Sequence, residues 1–230
     1  VYVHLGTSYV IEDLNLEDAV AFARCEEVDY TTFARDISDI RILETQRSVA
    51  LADGITMNLG IVEVSSQTVS FQKRRIDGEN LGEVLLSLPE RLLRTVAVWW
   101  TLPQDWITKP ETPGAVHAAE HAAIGLLPLF ATCDRWDIGG VSTAAHPDTA
   151  TTTIFIYDGF SGGAGFSAHG FDVAAEWLGA TRDLVRACEC ESGCPACIQS
   201  PKCGNGNEPL DKAGAIEVLT VLHQAVLGRP

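Results

Sequence analysis

The sequence predicts an α+β fold, with a strand-rich N-terminal part followed by helices and strands around a tetracysteine zinc site. Short β-branched and aromatic runs crowd the first part, alanine-rich helical patterns fill the second, and five of the seven cysteines lie within residues 188–203. We therefore predict a small barrel-like subdomain over residues 1–90 and an α/β zinc-binding subdomain over residues 91–230. The chain has 230 residues and is 46% hydrophobic, so it is long enough to bury a sizeable core.

The N-terminal part contains short strand-like runs, separated by glycine, asparagine and acidic turns. Many short strands at close spacing are typical of a small antiparallel barrel or a curled sheet. The predicted strands cover residues 1–5, 9–11, 19–23, 37–43, 61–64 and 68–76.

The second part mixes buried strands with amphipathic helices. Pro113 precedes the first predicted helix, and Pro128 is expected to kink or end it. The predicted elements are strands at residues 92–102 and 151–157, and helices at residues 114–130, 171–187 and 211–227.

The cysteine cluster predicts one structural zinc ion per chain, with a disulfide cluster or free thiols as alternatives. Cys190, Cys194 and Cys197 are the firm ligands, because a C-x-x-C turn supplies two thiolates from one tight loop. The fourth ligand is Cys188 or Cys203. We favour Cys188, since a C-x-C pair can chelate without ordering the following loop. A site made only of thiolates has no open position, so this zinc should stabilise the fold rather than catalyse a reaction.

The formal net charge of −15 argues against a free-standing nucleic-acid binder but leaves room for a local basic surface. Lys73, Arg74 and Arg75 form one basic run, interpreted either as a solvated strand edge or as contacts to the backbone of single-stranded DNA. Tryptophans are more often core residues. Trp106, in a proline-rich loop, is the one we select as a candidate for stacking on bases.

The chain begins with Val1, without a charged-then-apolar leader or an apolar run of about 18–20 residues. We expect a segment of a longer polypeptide that has no membrane association. Clustered cysteines remain available to metal in a reducing compartment, which favours a cytoplasmic protein.

His117, Glu120 and His121 spell H-x-x-E-H, which on a helix places the two histidines one turn apart on one face. One interpretation is a second metal site of hydrolase type; the other is a semi-buried polar network. The candidates for a third metal ligand are Asp134, Asp137 and Asp158.

Residues 163–168 read G-x-G-x-x-A between a predicted strand and a predicted helix. A helix N-terminus in this context can contact a phosphate of DNA. The simpler interpretation is a glycine-rich turn that lets the strand close onto the helix.

Three segments, residues 157–165, the cysteine cluster and residues 204–212, resemble the C-terminal MrfA-associated zinc-binding domain of MrfA/SftH-type superfamily 2 DNA helicases. Residues 117–121 and 133–140 resemble other parts of that domain. The resemblance covers most of the chain and is looser before about residue 90. It implies an accessory zinc-binding domain of an ATP-dependent 3′–5′ DNA helicase, associated with the nucleoid and acting in DNA repair.

The sequence contains no G-x-x-x-x-G-K-[ST] motif to cradle ATP phosphates. We expect ATP only in the helicase core of the same polypeptide, and we expect this chain alone to be inactive. The expected partners are that core and single-stranded DNA. The alternative function is a protein-interaction module that docks a partner through its acidic surface.

Overall fold

The computed structural model describes residues 1–229 and divides into two compact units. Unit 1 comprises Val1–Ile37 and Gln67–Pro89; unit 2 comprises Ser38–Ser66 and Glu90–Pro230, of which Pro230 lies outside the described residues. Two long strands, β4 (Tyr30–Ala50) and β5 (Thr56–Arg75), contribute residues to both units. The sequence predicted only short strands in these regions.

Unit 1 contains an open antiparallel sheet in the order β1-β2-β3. Its strands are β1 (Tyr2–His4), β2 (Thr7–Asn15) and β3 (Val20–Cys25). The end of β5 pairs with β6 (Asn80–Leu85) in the same unit. Ser70 is the one buried residue among those described in unit 1, and apolar side chains such as Phe22 and Phe33 are about half exposed. The three strands β1–β3 do not close into a barrel.

Unit 2 is built on the sheet path β4-β5-β7-β9-β8, in which β5, β7, β9 and β8 pair antiparallel. Its remaining strands are β7 (Arg91–Thr101), β8 (Ile138–Thr143) and β9 (Thr153–Asp158). Sequence patterns missed β8, because Gly139 and Gly140 interrupt the apolar alternation. Both glycines make room: a Cβ on Gly139 would meet the Tyr157 ring, and one on Gly140 would meet Glu120.

Five α-helices are found in the described residues: α1 (Thr112–Leu126), α2 (Pro128–Ala131), α3 (Phe166–Asp172), α4 (Ala174–Ala187) and α5 (Lys212–Leu227). The predicted break at Pro128 is confirmed, since the proline begins α2. The helix predicted at 171–187 is two helices, which meet at Val173. The mixed α+β prediction is confirmed.

The core of unit 2 lies between the sheet and the helices. Trp177 of α4 is fully buried, meets Trp100 of β7 edge-to-face at 5.6 Å and donates its indole N–H to the carbonyl of Ala123 in α1. These contacts join α1, α4 and β7, and α4 leads directly into the cysteine segment. No helix within residues 1–229 is long and apolar enough to cross a membrane.

Candidate metal centre

The cysteine cluster begins where α4 ends. Cys188 caps the helix with an extended backbone, and the chain then turns through Gly193, whose φ is 117°. A Cβ at Gly193 would lie 2.4 Å from the buried Ile198 side chain, so only glycine fits this turn. Cys194 donates its backbone N–H to the sulfur of Cys197 at 3.3 Å.

Four sulfur atoms converge at this turn. The Sγ–Sγ distances are 3.6 Å for Cys188–Cys190, 3.5 Å for Cys188–Cys194, 3.5 Å for Cys190–Cys197 and 3.7 Å for Cys194–Cys197. A disulfide would bring two sulfurs to about 2.05 Å, and all these cysteines are free. A tetrahedron with Zn–S bonds of about 2.3 Å requires sulfurs about 3.8 Å apart. The four thiols therefore fit a zinc ion.

Lys212, the first residue of α5, lies beside the cluster. Its ammonium donates to the carbonyl oxygens of Cys188 at 2.6 Å and Cys190 at 2.5 Å. The lysine thus joins the start of α5 to the chain that leaves α4. It also places positive charge next to four sulfurs that carry a net negative charge once thiolates hold Zn²⁺.

The thiols of the cluster share hydrogen bonds, and their pKa values diverge. Burial raises the pKa of Cys190, but hydrogen bonds from Cys197, Cys188, Cys194 and Gly193 outweigh it and lower the pKa to about 7. Burial and the neighbouring sulfurs raise the pKa of Cys197 to about 12. Binding of zinc by thiolates must displace the thiol protons, so zinc affinity falls as the pH falls.

Cys203 lies elsewhere, against the histidines of α1. Its sulfur is 3.4 Å from Nε2 of His117 and accepts the backbone N–H of Asn207 at 3.2 Å. Burial opposes ionisation of Cys203, but the neighbouring His121 and the backbone N–H of Asn207 lower its pKa overall. The fifth cysteine of the run therefore belongs to a separate group, His117, His121 and Cys203.

Glu120 points away from this group although it lies between the two histidines in sequence. It is 5% exposed; burial raises its pKa to about 7, against the opposing effects of a hydrogen bond with Ser142 and the charge of His117. Asp134 and Asp137 cap the short 3₁₀ turn at residues 135–137. Neither these three carboxylates nor Asp158, the remaining candidate for a third ligand, joins a possible metal group in the described part of the chain.

Asp158 occupies the glycine-rich turn. Its fully buried carboxylate accepts the backbone N–H groups of Ala164 at 2.6 Å, Gly165 at 2.8 Å and Ser167 at 2.8 Å, and the Ser167 hydroxyl at 2.6 Å. The amides that the sequence suggested for a DNA phosphate already hold an internal anion. Residues 163–168 therefore close β9 onto α3, as the simpler interpretation expected.

The predicted basic run lies at the end of β5 in unit 1. The Lys73 ammonium lies 5.3 Å from the centre of the Tyr30 ring, and the Arg74 guanidinium lies 5.6 Å from that of Phe33. Arg75 differs, because it forms ion pairs with Asp29 at 3.3 Å and Glu79 at 2.7 Å. Two of the three cations thus lie beside aromatic rings of the same unit.

Trp106 is buried, with 5% of its surface exposed, and it packs in the core of unit 2. The Lys109 ammonium covers its ring at 4.0 Å. The ring is closed to a nucleic-acid base, which corrects the stacking role expected from its proline-rich loop. Trp136 is instead 65% exposed, with the Lys202 ammonium 5.3 Å from its ring. Sequence analysis counted Trp136 among the tryptophans expected in the core, because no local signal marks its exposure.

Four free thiols at zinc spacing, held where one helix ends and the next begins, define a structural zinc-binding module. A family model, the MrfA Zn-binding domain, matches residues 119–198. The chain belongs to this MrfA zinc-binding family, and its cofactor is zinc.

Relatives extend the comparison. The ATP-dependent helicase YprA of Bacillus subtilis is 29% identical over 202 residues, which are 86% of this chain and 27% of YprA. The protein MJ1572.1 of Methanocaldococcus jannaschii is 39% identical over 110 residues, which are 46% of this chain and 98% of that protein. A crystal structure of the DUF1998 helicase MrfA bound to DNA has a TM-score of 0.67 and 26% identity, covering 95% of this chain and 29% of MrfA. The chain thus spans about a quarter of the length of these helicases.

Proposed function

We propose that this chain is the accessory C-terminal zinc-binding module of an ATP-dependent 3′–5′ DNA helicase that acts in DNA repair. In this role it guides the translocated strand or closes over it. The observation that carries the proposal is the likeness of 95% of the chain to the DNA-bound helicase MrfA, at a TM-score of 0.67. ATP binds in the helicase core of the same polypeptide, and action on DNA places the protein at the nucleoid.

In this proposal Cys188, Cys190, Cys194 and Cys197 hold the structural zinc. The support is the mutual approach of their sulfurs to 3.5–3.7 Å, whereas Cys203 pairs with His117 at 3.4 Å. When bound, zinc supplies cross-links that replace a larger core. The ion then connects the end of α4 with the segment that Lys212 of α5 already contacts.

The helicase core is the partner proposed for unit 1. The apolar side chains of unit 1 are exposed, and Ser70 is the one buried residue among those described in that unit. A unit with so little core of its own gains most from packing against another part of the polypeptide. We take residues 1–90 and 91–230 as two parts of one C-terminal module.

The test of this function is the removal of residues 1–230 from the full-length helicase, with DNA unwinding and ATP hydrolysis measured separately. We expect ATP hydrolysis to persist and unwinding to fall about tenfold or more, because a strand that is no longer guided slips from the motor. Unwinding at the original rate would show that the module does not guide the strand.

Contacts with single-stranded DNA are proposed for Lys73 and Arg74, since each presents a cation beside an aromatic ring. Replacing both by alanine in the full-length protein should weaken binding of a single-stranded oligonucleotide about fivefold or more. The slope of log K against log salt should fall by about 1.4, because two phosphate contacts are lost. The matched control is Arg24→Ala, an arginine of unit 1 that is paired with Glu12 and Glu26.

A protein-interaction module remains the second candidate, favoured by the net charge of −15. Measuring oligonucleotide binding as a function of salt distinguishes the two candidate functions. A DNA module loses affinity for the oligonucleotide steeply as salt rises, and the Lys73/Arg74 variant loses part of that dependence. An unchanged slope in the variant would remove both residues from the DNA surface and favour protein docking.

A further inference from the structure

Outside the tetracysteine cluster, two imidazoles and one thiol form a second group. His117 and His121 lie one turn apart on α1, with ring centres 4.3 Å apart, and Cys203 approaches from the loop before α5. The ligand atoms of the three residues all lie within 4.8 Å of one another. His121 is 8% exposed, while the other two are half-buried.

Backbone carbonyls orient both imidazoles. Nδ1 of His117 lies 2.9 Å from the carbonyl oxygen of Pro209, and Nδ1 of His121 lies 2.9 Å from that of Ile198. A carbonyl only accepts hydrogen bonds, so Nδ1 carries the hydrogen in each ring and Nε2 is left with the lone pair. Histidines that bind metals are oriented in this way, with one nitrogen donating to a carbonyl and the other facing the ion.

The sulfur is held in a similar way. Asn207 donates its backbone N–H to Sγ of Cys203. Its side-chain oxygen accepts the backbone N–H of Ser200, and its side-chain NH₂ donates to the Ser200 carbonyl. An N–H donated to sulfur also occurs in the tetracysteine cluster, from Cys194 to Cys197 at 3.3 Å. Hydrogen bonds of this kind stabilise a thiolate, the form of cysteine that binds metals.

When the three side chains are neutral, they have too few hydrogens to give every lone pair in the group a hydrogen bond. A thiol has one S–H, which can serve a single lone pair, yet two ring nitrogens with lone pairs approach one sulfur. A divalent cation accepts all three electron pairs at once. With Zn–S of about 2.3 Å and Zn–N of about 2.0–2.1 Å, a tetrahedral site requires sulfur and nitrogen about 3.6 Å apart. The observed distance from Cys203 Sγ to His117 Nε2 is 3.4 Å.

We propose that His117, His121 and Cys203 bind a second zinc ion, with the fourth position open to solvent. The donor set suits zinc, which accepts imidazole and thiolate together. This ion would join α1 to the loop between residues 198 and 209, and Ile198 would connect it directly to Cys197 of the first site. The sequence suggested aspartates as the third ligand and one zinc ion per chain. The structure brings Cys203 there instead.

The test is the zinc content of the purified full-length protein after dialysis against zinc-free buffer. For this chain we expect about two zinc ions, and we expect Cys203→Ser and His117→Gln each to retain about one. Two controls should keep both ions. Glu120→Gln lies between the histidines but faces Ser142, and His169→Gln replaces an exposed histidine outside the group.

Cobalt substitution of the unmodified protein gives a second readout that needs no variant. The sulfur-to-cobalt charge-transfer absorbance grows with the number of bound thiolates, so filling of both sites should give two steps, a large one and one about a quarter as large. One zinc ion and a single cobalt step in the unmodified protein would overturn the proposal. Two ions that both survive Cys203→Ser and His117→Gln would place the second ion elsewhere and overturn it equally.

Discussion

Replacing Cys194 by serine is expected to release the zinc ion of the tetracysteine cluster and to destabilise the protein by about 4 kcal/mol. A serine hydroxyl stays protonated at neutral pH, so it cannot replace a thiolate. Without the ion, the segment that follows α4 loses the cross-link among its four sulfurs, although contacts such as those of Lys212 and Ile198 remain. Thermal unfolding should shift down by about 8–16 °C, measured together with the zinc content.

Two comparisons make this result specific. Cys133→Ser replaces a half-buried cysteine outside both metal groups, and it should keep its zinc and its melting temperature within about 3 °C. Cys188→Ala should lose the four-thiolate cobalt spectrum, whereas Cys203→Ala should keep it. If the Cys203 variant lost that spectrum and the Cys188 variant retained it, the fourth ligand would be Cys203, and the assignment made from the sulfur distances would be wrong.

Replacing Asp158 by asparagine is expected to lower the free energy of unfolding by about 3 kcal/mol. Each carboxylate oxygen accepts two hydrogen bonds from the turn, Oδ2 from Ala164 and Gly165, and Oδ1 from the two donors of Ser167. Asparagine keeps one acceptor oxygen, and its NH₂ group would face two N–H donors in a buried site. Urea denaturation of the purified protein measures the loss.

The matched control for this prediction is Asp172→Asn. Asp172 forms an ion pair with Arg47 at 2.8 Å, but its side chain is 56% exposed. Solvent screens such a pair, so the change should cost about 0–1 kcal/mol. Equal effects of the two substitutions would show that the buried anion contributes no more than a surface charge.

Sequence reasoning identified the elements whose signals are local. The helix predicted over residues 114–130 appears as α1 and α2, and the helix predicted over 211–227 appears as α5, because apolar periodicity and a flanking proline act within a few turns. Strand β8 was missed, since its two glycines are there to admit Tyr157 and Glu120, side chains that come from other elements. The lengths of β4 and β5 were also missed, because pairing across the sheet extends strands beyond their apolar runs.

The candidate site divides in the same way. The spacing of Cys190, Cys194 and Cys197 predicted a zinc-binding turn. The thiols lie close together because only a few residues separate them along the chain. The structure alone separates Cys203 from this group, since its sulfur meets His117, 86 residues earlier in the chain. Trp106 was likewise selected for base stacking because it lies in a proline-rich loop, but the structure buries it in the core.

By itself the sequence determined the zinc chemistry of this protein, its α+β class and its family, because all three are written in short segments with fixed spacing. Only the tertiary structure decided which cysteine leaves the cluster, which anion fills the glycine-rich turn and which tryptophan faces solvent. Those outcomes depend on atoms that are far apart in sequence and that packing brings within a few ångströms of one another. The spacing of residues along the chain does not reveal such contacts.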